Sequence, residues 1–127
     1  MDGVRKAHLY VRGKISVPVS QVKAVVADTE QMFAEPGIAG SVVAHAATGI
    51  VYFMCATDGL SPDRIAALRK RANDLGGWLT IEAAPRAVKR RLNVWDIPPG
   101  GLEIMKRIRA SFDPKRTLNP GRFLEGI

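Results

Sequence analysis

Two apolar, largely β-branched runs, Ser41–His45 and Ile50–Ala56, stand only four residues apart, and that spacing constrains the fold more than any other feature of the chain. A connection as short as Ala46-Ala47-Thr48-Gly49 predicts an antiparallel hairpin, and the loop length sets its register. His45 then faces Ile50, Val43 faces Tyr52 and Ser41 faces Met54, all on one side of the sheet. Val42, Ala44, Val51, Phe53 and Cys55 fall on the other side. That second set is uniformly apolar, so it is the side that helices are expected to cover.

The flanking segments supply those helices and two more strands. Residues 8–17 alternate with period two: Leu9, Val11, Ile15 and Val17 point one way, and His8, Tyr10, Arg12, Lys14 and Ser16 the other. From about Ser20 to Glu35, Val22, Val25, Val26, Thr29, Met32 and Phe33 form a helical stripe that Pro36-Gly37 ends. Ser61-Pro62 reads as an N-cap followed by a first-turn proline; Ile65, Leu68, Ala72 and Leu75 follow before Gly76-Gly77. Trp78 to Ala83 is the last strand. Strand, helix, hairpin, helix, strand is the order of an α+β, ferredoxin-like fold, with two helices on one face of an antiparallel sheet. Pro85–Leu92 reads as a short helix. Leu102, Met105, Ile108 and Phe112 mark a further amphipathic helix in a C-terminal extension. The core is expected over about 8–84 and the extension over about 85–127.

The extension ends in Ser111-Phe112-Asp113-Pro114-Lys115-Arg116-Thr117-Leu118-Asn119-Pro120-Gly121-Arg122-Phe123, a stiffened tail. Pro114 and Pro120 fix φ and hold Asp113 and Asn119 out of the helical region, while Gly121 permits a positive φ. Leu118 and Phe123 are the expected docking anchors. Arg109 reads as an ordinary helix residue, so Arg122 is expected to matter more.

A length of 127 residues suits one domain. No apolar run reaches membrane-spanning length and the first residues lack a secretory core, which predicts a cytoplasmic protein. Cys55, the single cysteine, cannot form an internal disulfide and reads as a small buried hydrophobe. The formal charge is +7, and residues 86–127 hold 10 Lys and Arg against 4 Asp and Glu. Basic stretches such as Lys89-Arg90-Arg91 and Lys106-Arg107 can serve nucleic acid, a cofactor pyrophosphate or an acidic partner, or form a merely solvated helix face. No dinucleotide or phosphate loop, no C-x-x-C, H-E-x-x-H or G-x-S-x-G motif is present. Two widely spaced histidines make a poor metal ligand set, so no metal is expected.

The tail closely resembles the C-terminal signature of FAD-linked oxidases of the glycolate oxidase and D-lactate dehydrogenase type. Gly76-Gly77-Trp78-Leu79-Thr80-Ile81-Glu82-Ala83-Ala84-Pro85, Lys89, Val94-Trp95 and Pro98-Pro99-Gly100 resemble the same family, within the vanillyl-alcohol oxidase superfamily. The match covers roughly 8–127 and is nearest to the E-type, FAD-binding subunit of glycolate oxidase. Tyr52 stands where D-type relatives place a second hairpin histidine, and no Glu-His pair occurs. The resemblance implies a C-terminal domain without its FAD-binding domain, one that caps flavin and substrate and is inactive alone. Its implied partners are an FAD-binding domain or other oxidase subunits and a small 2-hydroxy acid, with no nucleic acid and with self-association through uncovered surfaces.

Register parity puts His45, Tyr52, His8, Tyr10, Arg12, Thr80 and Glu82 on the open face. For a flavin oxidising a 2-hydroxy acid, Arg12 can pin the carboxylate, His45 can take the hydroxyl proton and Tyr52 can donate a hydrogen bond. The resemblance implies that Asn119, Gly121 and Arg122 approach FAD. Against this stands a ferredoxin-like binding or regulatory module, either RNA-binding through Tyr10 and Tyr52 or oligomerising.

Overall fold

The structure, a computed structural model, describes residues 10–34, 37–122 and 124. His8, Leu9, Glu35, Pro36 and Phe123 lie outside the described residues. The chain divides into two compact units, 1–96 and 97–127.

In the first unit β1 (Tyr10–Ser16), α1 (Val22–Ala34), β2 (Gly40–His45), β3 (Ile50–Ala56), α2 (Pro62–Asp74) and β4 (Trp78–Ala83) follow one another in the ferredoxin-like order. The strands form one antiparallel sheet in the order β2-β3-β1-β4. Pairing of β2 with β3 gives Ser41 opposite Met54, Val43 opposite Tyr52 and His45 opposite Ile50, as the four-residue connection predicts. A 3₁₀ turn, Ala46–Thr48, makes the connection. Gly49 ends it at φ 71°, with its carbonyl accepting from Val17 N at 2.9 Å. A side chain there would collide with the Val17 carbonyl.

Sheet parity and helix periodicity meet in a single core. Val11, Ile15, Val51, Phe53, Cys55, Leu79 and Ile81 are buried on the inner face, against Val22, Val25, Met32 and Phe33 of α1 and Ile65, Leu68 and Ala72 of α2. Each such aliphatic or aromatic burial stabilises the fold by about 1.5–3 kcal/mol. Thr29 enters this core because its hydroxyl donates to the Val25 carbonyl at 2.6 Å. Ser61 caps α2 by accepting from Asp63 N at 3.2 Å, with Pro62 at the first helical position. Ala44 pairs with the buried Val51 on the inner face, as expected, yet is exposed, since β2 is the sheet edge and its burial fades toward the hairpin.

After β4 the short helix α3 (Arg86–Lys89) packs Val88 and Leu92 against the same core. Asp96 then clips the segment: its Oδ2 accepts from Leu79 N and Asn73 Nδ2, both at 2.9 Å. Arg69 reaches across to the Asn93 carbonyl at 2.6 Å. Burial works against the Arg69 charge and Asp96 favours it.

The second unit contains α4 (Pro99–Phe112) and the tail. The apolar stripe of this expected amphipathic helix is largely open, with Ile108 exposed and Phe112 84% exposed.

Candidate functional site

The outer face of the sheet is where the predicted catalytic residues meet. His45 ends β2 and Tyr52 lies on β3, diagonally across the pairing, which brings their rings into an edge-on contact with centroids 5.8 Å apart. Tyr52 faces Lys14 on β1, so Arg12 is its diagonal neighbour on that side. The three residues therefore occupy three adjacent strands of one face. Around them stand Tyr10, Val43, Met54 and Trp78, all exposed.

Arg12 has a partner that parity alone does not specify. The β1–β4 register slips between Arg12 and Gly13, which pair with Ala83 and Ile81 and leave Glu82 as the extra residue of a bulge. Glu82 Oε2 lies 3.1 Å from Arg12 Nε. The contact orients the guanidinium while its terminal nitrogens keep no carboxylate among the described residues. Trp78 is a further open-face residue; its parity with Thr80 and Glu82 was the signal that could have found it.

The tail carries the other predicted set. Asn119, at φ 44°, and Gly121, at φ 70°, shape a turn in which Arg122 N donates to the Asn119 carbonyl at 3.1 Å. The preceding segment is held by Asp113. Its Oδ1 accepts from Thr117 N at 2.8 Å and the Thr117 hydroxyl at 3.1 Å, and its Oδ2 from Leu118 N at 3.0 Å. Arg109 Nη2 donates to Asp113 Oδ2 at 3.3 Å and to the Leu118 carbonyl at 2.9 Å. The two backbone N–H groups, Thr117 first and Leu118 next, hold the Asp113 carboxyl below its ordinary value; burial opposes them, and the Thr117 hydroxyl and Arg109 add to them.

Arg109 is therefore no ordinary helix residue, as the sequence suggested, but the clamp that folds the tail back. The Leu118 anchor, by contrast, is 64% exposed. With Met105, Ile108, Arg109, Phe112, Asp113, Asn119 and Arg122 it lines an open groove of about 430 Å³. Asn119 and Arg122 are thus brought to one groove by their own unit.

Among the described residues no three of His, Cys, Asp and Glu approach closely enough to hold a metal ion, and no helix is long and apolar enough to cross a membrane. Burial pushes the Cys55 thiol up to about 11, which suits a packing residue and not a nucleophile.

The family described as the C-terminal domain of FAD linked oxidases matches residues 3–123. The chain belongs to that family. Among similar proteins, a probable mitochondrial D-lactate dehydrogenase of Danio rerio is 27% identical over 118 residues, covering 87% of this chain and 24% of that protein. Glycolate oxidase subunit GlcD of Bacillus subtilis (strain 168) is 28% identical over 114 residues, or 84% of this chain and 24% of the subunit. A mitochondrial D-lactate dehydrogenase [cytochrome] 1 of Saccharomyces cerevisiae is 26% identical over 116 residues, or 87% of this chain and 20% of that enzyme. This FAD-linked oxidase C-terminal domain thus spans about a quarter or less of the length of the curated relatives it matches. Its ferredoxin-like sheet is the part whose open face carries His45, Tyr52 and Arg12.

Proposed function

We propose that this domain closes the flavin and substrate site of an FAD-dependent 2-hydroxy-acid oxidoreductase of the glycolate or D-lactate type, acting only with an FAD-binding domain. The observation that carries the reading is the juxtaposition of an imidazole, a phenol and a guanidinium on three adjacent strands of one open, partly apolar face. That donor set fits a hydroxy acid held against a flat cofactor ring: a cation for the carboxylate, a base and a donor for the hydroxyl, and apolar Val43 and Met54 beside them.

FAD, when bound, supplies the hydride acceptor. On this chain Arg12 receives the substrate carboxylate through the terminal nitrogens that Glu82 leaves available. Tyr52 donates to the substrate hydroxyl oxygen. His45, its ring set by the edge contact with Tyr52, takes the hydroxyl proton on an imidazole nitrogen. In the second unit, Asn119 and Arg122 offer an amide and a cation to the cofactor, and Gly121 supplies the turn that presents them. Tyr52 in the hairpin favours the E-type subunit within the family.

The optical spectrum and turnover of the chain, alone and in the polypeptide or complex that carries an FAD-binding domain, test this. Alone it is expected to be colourless and inactive toward glycolate and D-lactate. A stoichiometric yellow chromophore bound by this chain by itself would overturn the reading.

A further inference from the structure

Arg86, Lys89, Arg90 and Arg91 form a cationic cluster that the oxidoreductase role leaves unused. Arg86, Lys89 and Arg90 follow i, i+3, i+4 spacing and share one side of the α3 turn, with Arg91 next to them. All four are exposed. The turn that presents them is anchored, because Val88 and Leu92 pack against the core and Ile81 N donates to the Val94 carbonyl at 2.8 Å.

Other cations without a carboxylate partner among the described residues, such as Lys14, Lys23, Lys106 and Lys115, occur elsewhere, but here four exposed cations fall within residues 86–91. Arg12, Lys70, Arg71, Arg107 and Arg109 each lie 2.8–3.7 Å from a carboxylate of the same chain. None of the four cluster residues has a carboxylate partner among the described residues. Like charges at this spacing repel one another. The fold therefore holds four mutually repelling cations on a rigid turn without internal compensation.

The geometry points to a docking surface for the acidic face of a protein partner, engaged transiently. Uncompensated charge on a fixed element raises association rates and orients encounter while contributing little to lifetime. No large apolar side chain between 84 and 97 is exposed, and Trp95, the one aromatic ring in that stretch, is partly buried, so the segment offers little to insert into a bilayer and no open ring on which bases stack. An acidic protein surface needs neither.

Labelled poly-L-glutamate serves as the probe, with oligouridylate of matched charge and phosphatidylserine–phosphatidylcholine vesicles as the competing chemistries. Arg86→Gln with Lys89→Gln, Arg90→Gln with Arg91→Gln, and all four together are compared with a charge-matched control, Lys23→Gln, Lys106→Gln, Lys115→Gln and Arg116→Gln. Thermal melts accompany each variant, and Arg→Lys at 86, 90 and 91 keeps the charge with a different side chain. The native chain is expected to bind poly-L-glutamate best of the three probes. The fourfold variant should lose about tenfold or more in affinity at low salt, the Arg→Lys variant and the control much less. Equal loss in the cluster variant and the control, no binding, or tighter binding of RNA or vesicles would overturn the proposal.

Discussion

The ring of Phe53 on β3 covers Gly13, its directly paired neighbour on β1, so closely that a Cβ at 13 would collide with the ring. This contact fixes which side of the sheet is inner. With Phe53 buried above Gly13, Tyr52 and Arg12 must point outward. Gly13→Ala is expected to lower stability by about 1–3 kcal/mol, because the ring is enclosed and cannot yield. Denaturant melts measure this, and an unchanged midpoint would show that the contact has slack.

The same geometry separates two neighbouring substitutions. Phe53→Glu places an unpaired charge where the native side chain is 1% exposed, at an expected cost of about 3–5 kcal/mol or more, enough to unfold a domain of this size. Tyr52→Glu adds charge to a half-exposed surface and should leave the melting temperature within a few degrees of the native value. It should also reduce any self-association through the open face, where Tyr10, Val43 and Met54 are exposed. Sedimentation and thermal melts read both effects; the opposite ranking would mean that the open face is the buried one.

Asp113 gives the tail an acid-sensitive latch. Because its carboxyl is held low in the folded chain, the ionised form supports the tail above the ordinary carboxylate range. That support is lost as pH falls through about 4 and on through the depressed folded value. The Thr117 and Leu118 amide resonances should move together toward unstructured positions over that fall, and Asp113→Ala should place them there at neutral pH. Arg109→Ala should loosen the same segment by removing its bond to the Leu118 carbonyl. Unperturbed amide shifts in Asp113→Ala would remove the latch from the account.

Cys55 should be inert to thiol reagents in the native state near neutral pH and reactive on unfolding. Its folded value of about 11 lies above the ordinary 9.0, so the stability it contributes is intact below the ordinary value and declines as pH rises through the folded one. Alkylation rates with and without denaturant check this. Fast labelling of the native chain would place the thiol at the surface.

The hairpin was legible because two facts sufficed, a four-residue connection and strict alternation; Val43 opposite Tyr52 follows from counting. The two helices that cover the sheet were legible from their stripes and, for α2, from the Ser61-Pro62 start. Glu82 beside Arg12 was not, since it depends on a bulge that inserts one residue into β4 without any sequence mark. The Arg109 clamp escaped for a related reason: i, i+4 spacing to Asp113 looks like a surface pair until the tail turns back to place the Leu118 carbonyl on the same guanidinium. The open stripe of α4 shows the limit of periodicity, which identifies an apolar face but not what it packs against.

The central claim, that His45 acts as base on a substrate held over this face, is tested most directly by the rate of flavin reduction by glycolate or D-lactate in the polypeptide or complex that joins this domain to an FAD-binding domain. His45→Gln should lower that rate by about 10²–10⁴-fold while flavin content and melting temperature stay near native values. An unchanged reduction rate in a folded, flavin-loaded His45→Gln protein would contradict the account.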